Sequence, residues 1–423
     1  MSPHLRSRRP VRPLVTSVDD VTAHVAAALR LGPPGTVGAE LEWFAVDPHD
    51  PLVRPPLERV SRALAGVVLP GGSLLSTEPG GQVELSSLPL PGPQAATDAL
   101  TADLAAVRAA LGPARVELRG GGADPVRPPE RLVDSTRYAC MEAFFRADGG
   151  DSGAAGLAMM CSTAAVQVSV DAGQAGSGVQ SATARWQRAH AVGPALVAAF
   201  ACSPVLHGAP TGWRSTRQRV WSRIDPTRTR APRPGLGPVD AVTELALGAR
   251  LLTVRDADGV CRPAPPLTFG EWIAGALGTA PTEDDLAYHL TTLFPPVRAR
   301  GWYELRYLDG LPDPLWRVAV GVAAALLDDD RAADAARDAC QPVEGRWSAA
   351  ARAAVGDPEL RRAAAVCLAA AADALPRLAA PRLAAEVAAY ADRFTARGRC
   401  PADDVLDGVC PSPATLQTTG VPR

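Results

Sequence analysis

The chain has 423 residues, 43 basic and 45 acidic, for a formal net charge of -2, so nothing in its overall balance calls for a nucleic acid or an anionic membrane as partner. All of the basic charge is arginine; lysine and asparagine are absent, which excludes a P-loop lysine, a protein-kinase lysine and a Schiff base to pyridoxal phosphate. Phosphate, if it is handled here, falls to arginine and metal. The eight cysteines are scattered without a C-x-x-C pair, the first twelve residues lack the apolar core of a signal peptide, and no apolar run reaches membrane-spanning length. A cytoplasmic protein acting on small molecules is expected.

In chain order, residues 1–15 are expected to be a disordered tail, and residues 16–398 one large catalytic domain. Ser17-Val18-Asp19-Asp20 reads as a capped helix start, with the helix stopping near Gly32-Pro33-Pro34. The run Gly38-Ala39-Glu40-Leu41-Glu42-Trp43 then reads as a strand with Glu40 and Glu42 on one face and Leu41 and Trp43 on the other. A helix from Leu57 to Leu64 and a turn at Pro70-Gly71-Gly72 lead to a second acidic run, Glu78-Pro79-Gly80-Gly81-Gln82-Val83-Glu84-Leu85. Leu100, Leu104, Val107 and Leu111 mark a buried helical stripe.

A short strand is expected from Arg115 to Arg119, then a turn at Gly120-Gly121-Gly122. The segment 163–171 alternates cleanly, with Ala164, Val166, Val168 and Val170 opposite Thr163, Gln167, Ser169 and Asp171. A helix is predicted from Ala182 to Ala201 and a Pro/Arg-rich loop from Arg223 to Pro238. The strand near Gly301 to Tyr307 sets Glu304 and Arg306 against Tyr303, Leu305 and Tyr307. Residues 312–398 are mainly helical, with breaks near Gln341 and Pro358, and residues 399–423 read as a loose tail. Strands scattered among helices, with polar faces that carry chemistry, imply an α+β domain whose sheet has helices on one face and a solvent-filled site on the other.

Like charges side by side on a sheet repel and need a counter-charge, for which a divalent cation is the natural candidate. A lone glutamate is more often a solvated surface carboxylate. Here, however, three separate segments set carboxylates opposite apolar faces. Mg²⁺ takes oxygen ligands, and enzymes that move phosphoryl groups use it to offset polyphosphate charge. Glu40, Glu42, Glu78, Glu84 and Glu304 supply such oxygens and Gln167 a neutral one. Arg306 either forms an ion pair with Glu304 or meets a transferring phosphoryl group beside the metal. A carboxylate-bridged metal hydrolase is less favoured, because of the six histidines only His49 falls near an acidic segment.

These motifs, taken in order, resemble the glutamate-cysteine ligases of plants and many bacteria, within the superfamily that includes glutamine synthetase. The family's G-x-E-x-E is met at 38–42, its Gly-Gly lead-in at 71–72 and its E-x-G-G-Q-x-E-L-S run at 78–86. Arg137-Tyr138 meets an Arg-Tyr placed before a helix, and Thr163, Gln167, Val168 and Asp171 meet a T-x-x-x-Q-V-x-x-D strand. Phe200-Ala201-Cys202-Ser203-Pro204, Gly212 to Arg217, Trp221, Asp225 to Thr229, Glu304-Leu305-Arg306 and Asp309 complete a match over about residues 37 to 310. Cys202 stands where the family often has asparagine, and the plant regulatory cysteines have no clear counterpart, so redox control of that kind is not expected.

The resemblance implies a glutamine-synthetase-like domain whose curved, mainly antiparallel sheet forms the active-site face, packed by helices and followed by a C-terminal helical region. It implies that ATP phosphorylates the γ-carboxylate of L-glutamate and that the amine of L-cysteine attacks the γ-glutamyl phosphate. Two or three Mg²⁺ ions would sit among Glu40, Glu42, Glu78, Glu84, Gln167 and Glu304. Arg306 and Glu304 would form the catalytic pair, Arg217 would hold the α-carboxylate of glutamate, and Arg137 and Arg228 are further substrate or nucleotide contacts. The Ala/Arg-rich composition further resembles actinobacterial members whose product feeds ergothioneine synthesis. The alternatives are a γ-glutamyl ligase for another amine on the same scaffold and a non-catalytic paralogue that binds glutamate or nucleotide.

Overall fold

The computed structural model describes residues 13–255 and 260–408. Eight strands form one sheet: β1 (Thr36–Val46), β2 (Leu74–Thr77), β3 (Val83–Ser86), β4 (Leu90–Pro91), β5 (Glu117–Arg119), β6 (Ala165–Asp171) and the later pair β11 (Val297–Ala299) and β12 (Trp302–Asp309). Two short hairpins lie outside it, β7 (Val205–Leu206) with β8 (Ala209–Pro210) and β9 (Thr253–Arg255) with β10 (Cys261–Pro263). The sheet runs β11-β12-β6-β1-β3-β2, while β4 and β5 pair with opposite ends of the long β1, and every pairing is antiparallel.

The period-2 alternation read from the sequence sets the two faces. Val37, Ala39, Leu41 and Trp43 of β1, Val83 and Leu85 of β3, Val166, Val168 and Val170 of β6, and Tyr303 and Leu305 of β12 are all buried in the core. The helices Gly92–Leu111, Gly193–Phe200 and Leu315–Asp328 pack on these strands, the first bringing the expected stripe of Leu100, Leu104, Val107 and Leu111. Each large apolar side chain so buried contributes about 1.5–3 kcal/mol, which fixes the strand register, because a slip by one residue would turn the glutamates into this core.

Four expectations need correction. Val15 is buried, with its N–H bonded to Pro281 O, so the tail boundary at 15 falls too late; residues 1–12 lie outside the description. The helix expected from Ala182 to Ala201 is two helices, Ala182–Ala191 and Gly193–Phe200, because Pro194 has no N–H to continue the ladder. The Pro/Arg-rich loop from Arg223 contains a short helix, Pro226–Thr229, capped by Asp225. Finally, 399–408 is not a loose tail: Cys400 is fully buried and opens the helix Pro401–Leu406. Ala402 N–H bonds to Ala201 O at 2.9 Å, and Arg214 pairs with Asp403 at 2.9 Å. Residues 409–423 lie outside the description. Among the described residues no helix is long and apolar enough to cross a membrane.

Candidate active site

The polar face of the sheet forms the floor of a cavity of about 310 Å³, lined among others by Glu40, Glu42, Glu78, Glu84, Gln167, Arg137, Arg217, Arg298 and Arg306. Pairing explains the convergence. On β1, Glu42 lies opposite Glu84 of β3, and Glu40 lies opposite Gln167 of β6, so three neighbouring strands deliver their oxygens to one place. Glu42 is fixed by Gln167 Nε2 at 3.0 Å and by the Ala165 N–H at 2.9 Å, and Glu84 accepts from Ser76 Oγ at 2.7 Å.

Glu78 comes from the turn before β3. That turn is seated by Gln82, whose amide donates to Thr163 O at 2.8 Å, and by Gly80, where a Cβ would stand 2.2 Å from Cys161 O. Only glycine permits so close an approach of two backbones.

Crowded, half-buried carboxylates resist ionisation. Burial, with repulsion from Glu304 and Glu84, raises Glu40 to about 7; burial and Glu84 raise Glu78 to about 8; burial, Glu78 and Glu84 push Glu42 well above the usual carboxylate range. Gln167 Oε1 is buried and has no hydrogen-bond partner. An orphaned neutral oxygen beside carboxylates that repel one another is the donor set a hard divalent cation satisfies. Among the described residues no three acidic, histidine or cysteine side chains come close enough to hold an ion by themselves.

Glu304 behaves differently. It is 1% exposed and is held by Arg306 Nη1 and, at 3.7 Å, by Arg298 Nη1. Burial acts to raise its pKa, but Arg298, Arg306 and Arg300 outweigh burial and hold it at about 2. It therefore sits as the charged anchor beneath two arginines rather than on the cavity wall beside Glu40. Arg306 keeps its Nε buried and unpartnered at the cavity.

Arg217 is 2% exposed on the helix Thr216–Trp221. Its Nη2 donates to Arg306 O at 2.7 Å, whereas Nε and Nη1 have no partner. The helix is placed by a buried network around Asp309, which accepts from Cys202 N at 2.9 Å, Ser203 Oγ at 2.7 Å and Ser215 Oγ at 2.8 Å, while Ser203 Oγ in turn accepts the Arg217 N–H at 3.1 Å. The turn at Gly120-Gly121-Gly122 belongs to this network: a Cβ at Gly122 would lie 2.4 Å from the Asp309 carboxyl carbon.

The remaining expected residues divide. Arg137 lines the cavity and donates to Thr291 Oγ1 and Thr291 O, each at 3.0 Å, but it lies in the first turn of the helix Thr136–Asp148 rather than before it. Arg228 does not reach the cavity and is corrected to a scaffold role. Its guanidinium is fully buried and bonded through all three nitrogens, to Asp225 at 3.1 Å, Thr292 O at 2.7 Å and Arg250 O at 2.7 Å, away from the cavity. Among the described residues no histidine lines the cavity: His190 is half-buried against Trp186 O, and His207 sits exposed at a hairpin turn. Arg298, Arg300, Tyr138 and Trp221 line it and were not singled out as site residues from the sequence. For Arg298 a signal exists, since Val297-Arg298-Ala299 alternates into a turn at Gly301 and sets Arg298 opposite Glu304. A second hollow of about 300 Å³ adjoins the first and shares Trp221, Phe294 and Arg306 with it.

Geometrically, then, a ring of carboxylates that are hard to ionise faces arginines with free donors, which suits a polyanion carried with divalent cations. A family model described as glutamate-cysteine ligase family 2 matches residues 36–418. The glutamate-cysteine ligase EgtA of Mycolicibacterium smegmatis is 43% identical over 409 residues, covering 93% of this chain and 92% of the relative. EgtA of Mycobacterium tuberculosis is 43% identical over 401 residues, covering 92% and 90%. Among solved structures, a glutamate-cysteine ligase from Francisella tularensis in complex with AMP has a TM-score of 0.47 and 13% identity, covering 93% of this chain and 91% of that one.

Proposed function

Because the chain belongs to glutamate-cysteine ligase family 2, we propose that it joins the γ-carboxylate of L-glutamate to the amine of L-cysteine with ATP as co-substrate, giving γ-glutamylcysteine, ADP and phosphate. A carboxylate is a poor electrophile, and phosphorylation of the γ-carboxylate supplies the leaving group that the cysteine amine displaces. The observation that carries this reading is the meeting of Glu40, Glu42, Glu78, Glu84 and Gln167 with Arg306 and Arg217 in one cavity.

Mg²⁺ held by these carboxylates and by Gln167 Oε1 would supply positive charge to the polyphosphate. Arg306, oriented by Glu304, offers its Nε to the transferring phosphoryl group. Arg217 offers Nε and Nη1 to the α-carboxylate of glutamate. The adjoining hollow provides room beyond a cavity too small for nucleotide and both amino acids together. Identity of 43% to two EgtA proteins supports a place in ergothioneine synthesis.

Glutamate- and cysteine-dependent ADP release, assayed for the native chain, Glu42→Gln and Arg306→Ala, tests the site: both variants are expected to lose nearly all activity, and equal rates in all three overturn it. Supplying other amines at equal concentration tests the acceptor. Strong preference for a non-cysteine amine would replace the cysteine assignment with another γ-glutamyl ligase.

A further inference from the structure

Trp221 ends the helix that carries Arg217, one turn further on, so the two side chains share a face. The Arg217 guanidinium carbon stands 5.4 Å from the indole centroid. Trp221 Nε1 is buried and has no hydrogen-bond partner, as are Arg217 Nε and Nη1. Three orphaned donor atoms on one short helix are costly if nothing meets them. Neither nearby carboxylate accepts from these donors: Asp309 takes Cys202, Ser203 and Ser215, and Glu42 takes Gln167 and Ala165. Trp221 also forms the wall between the two hollows, its ring set edge-on to Phe294 at 5.7 Å and 84°.

We propose that Trp221 is a substrate-binding residue: its indole N–H and the free side of the Arg217 guanidinium together cradle one carboxylate, the α-carboxylate of the γ-glutamyl donor. This rests on the reading that Arg217 binds that carboxylate. The donor set selects for an α-amino acid over the corresponding amine, because a ligand without the carboxylate leaves three buried nitrogen donors unanswered.

The test compares the native chain, Trp221→Phe, Trp221→His and Arg217→Lys in ADP release with each substrate varied in turn. Phenylalanine keeps an aromatic wall against Phe294 and removes the N–H; histidine is smaller but restores a ring N–H. Trp221→Phe is expected to raise KM for glutamate about tenfold, in line with a hydrogen bond to a charged group, while KM for ATP and cysteine and kcat stay within twofold. Trp221→His is expected to recover part of the loss. Inhibition by 4-aminobutanoate, which keeps the γ-carboxylate and lacks the α-carboxylate, is expected to be equal in native and Trp221→Phe chains. A glutamate KM moved by Arg217→Lys but not by Trp221→Phe overturns the indole's role alone, and so does an effect confined to cysteine. A glutamate KM moved by neither variant overturns the cradle, while undiminished ADP release in those assays leaves the ligase reading standing.

Discussion

Across the floor of the cavity, Glu40, Glu42, Glu78 and Glu84 crowd like charges together and leave Gln167, Arg217 and Arg306 with unmet polar atoms, whereas the C-terminal helices Leu315–Asp328, Asp330–Cys340, Pro358–Ala374 and Pro381–Arg393 bury chiefly alanine, valine and leucine. The two regions meet through one sheet, whose other face the first of those helices, Leu315–Asp328, helps to cover, with the rest packed behind it. Electrostatic tension is thus confined to a face braced from behind by ordinary apolar packing, and the tension is what a charged ligand relieves. Residues of the first region should govern rate and affinity; residues of the second should govern stability.

The sharpest test of that division is Arg228, a charged residue near the site that is bonded like a core residue. Arg228→Ala should cost about 3–5 kcal/mol in denaturant unfolding, since it takes a buried guanidinium away from Asp225, Thr292 O and Arg250 O, yet leave kcat of the folded fraction within a few fold. A kinetic loss without a stability loss would return Arg228 to the substrate contacts. Arg306→Ala should do the reverse, lowering kcat about 100- to 1000-fold with a smaller change in unfolding midpoint.

Among the helices, Ala371→Gly should lower stability by about 1 kcal/mol without changing any KM, and a changed KM would mean that the helices reach the site. The smallest effect is linked to pH. Glu40 and Glu78 hold their protons to about 7 and 8 in the folded chain but only to about 4.5 when unfolded, so the folded state binds more protons in between. Stability of the metal-free protein should therefore fall as pH rises from 4.5 to 8, and Mg²⁺ with nucleotide should flatten that slope by replacing protons. Glu304 acts oppositely, with stability lost as pH falls from 4.5 towards 2. A thermal midpoint that rises steadily between pH 5 and 8 without metal would contradict the crowding of these carboxylates.

Much of the site was legible because alternation is a local property. Glu40 with Glu42, Gln167 within 163–171, and Glu304 with Arg306 could each be assigned to a polar face from their own strands, and the structure turns those faces to one side. What was not legible depends on partners far along the chain. With every cation an arginine, residue type cannot separate Arg217, two of whose nitrogens have no partner, from Arg228, each of whose nitrogens is bonded, to Asp225 and two distant carbonyls. Likewise Glu304 looked like a cavity ligand until Arg298, brought opposite it by a hairpin, closed over its other side. The ordered stretch 399–408 escaped because its segment carries little periodicity of its own and is held by Ala201 and Arg214.

That last contact bears on how the molecule comes into being. The helix Pro401–Leu406 clasps the segment that leads into Cys202 and Ser203 and the arginine just before Ser215, the very groups that set Asp309 and through it the donor arm. A nascent polypeptide gains these two braces only when its final described helix has left the ribosome, so a chain ended before Cys400 is expected to hold the Arg217 helix less firmly even with every glutamate of the floor in place.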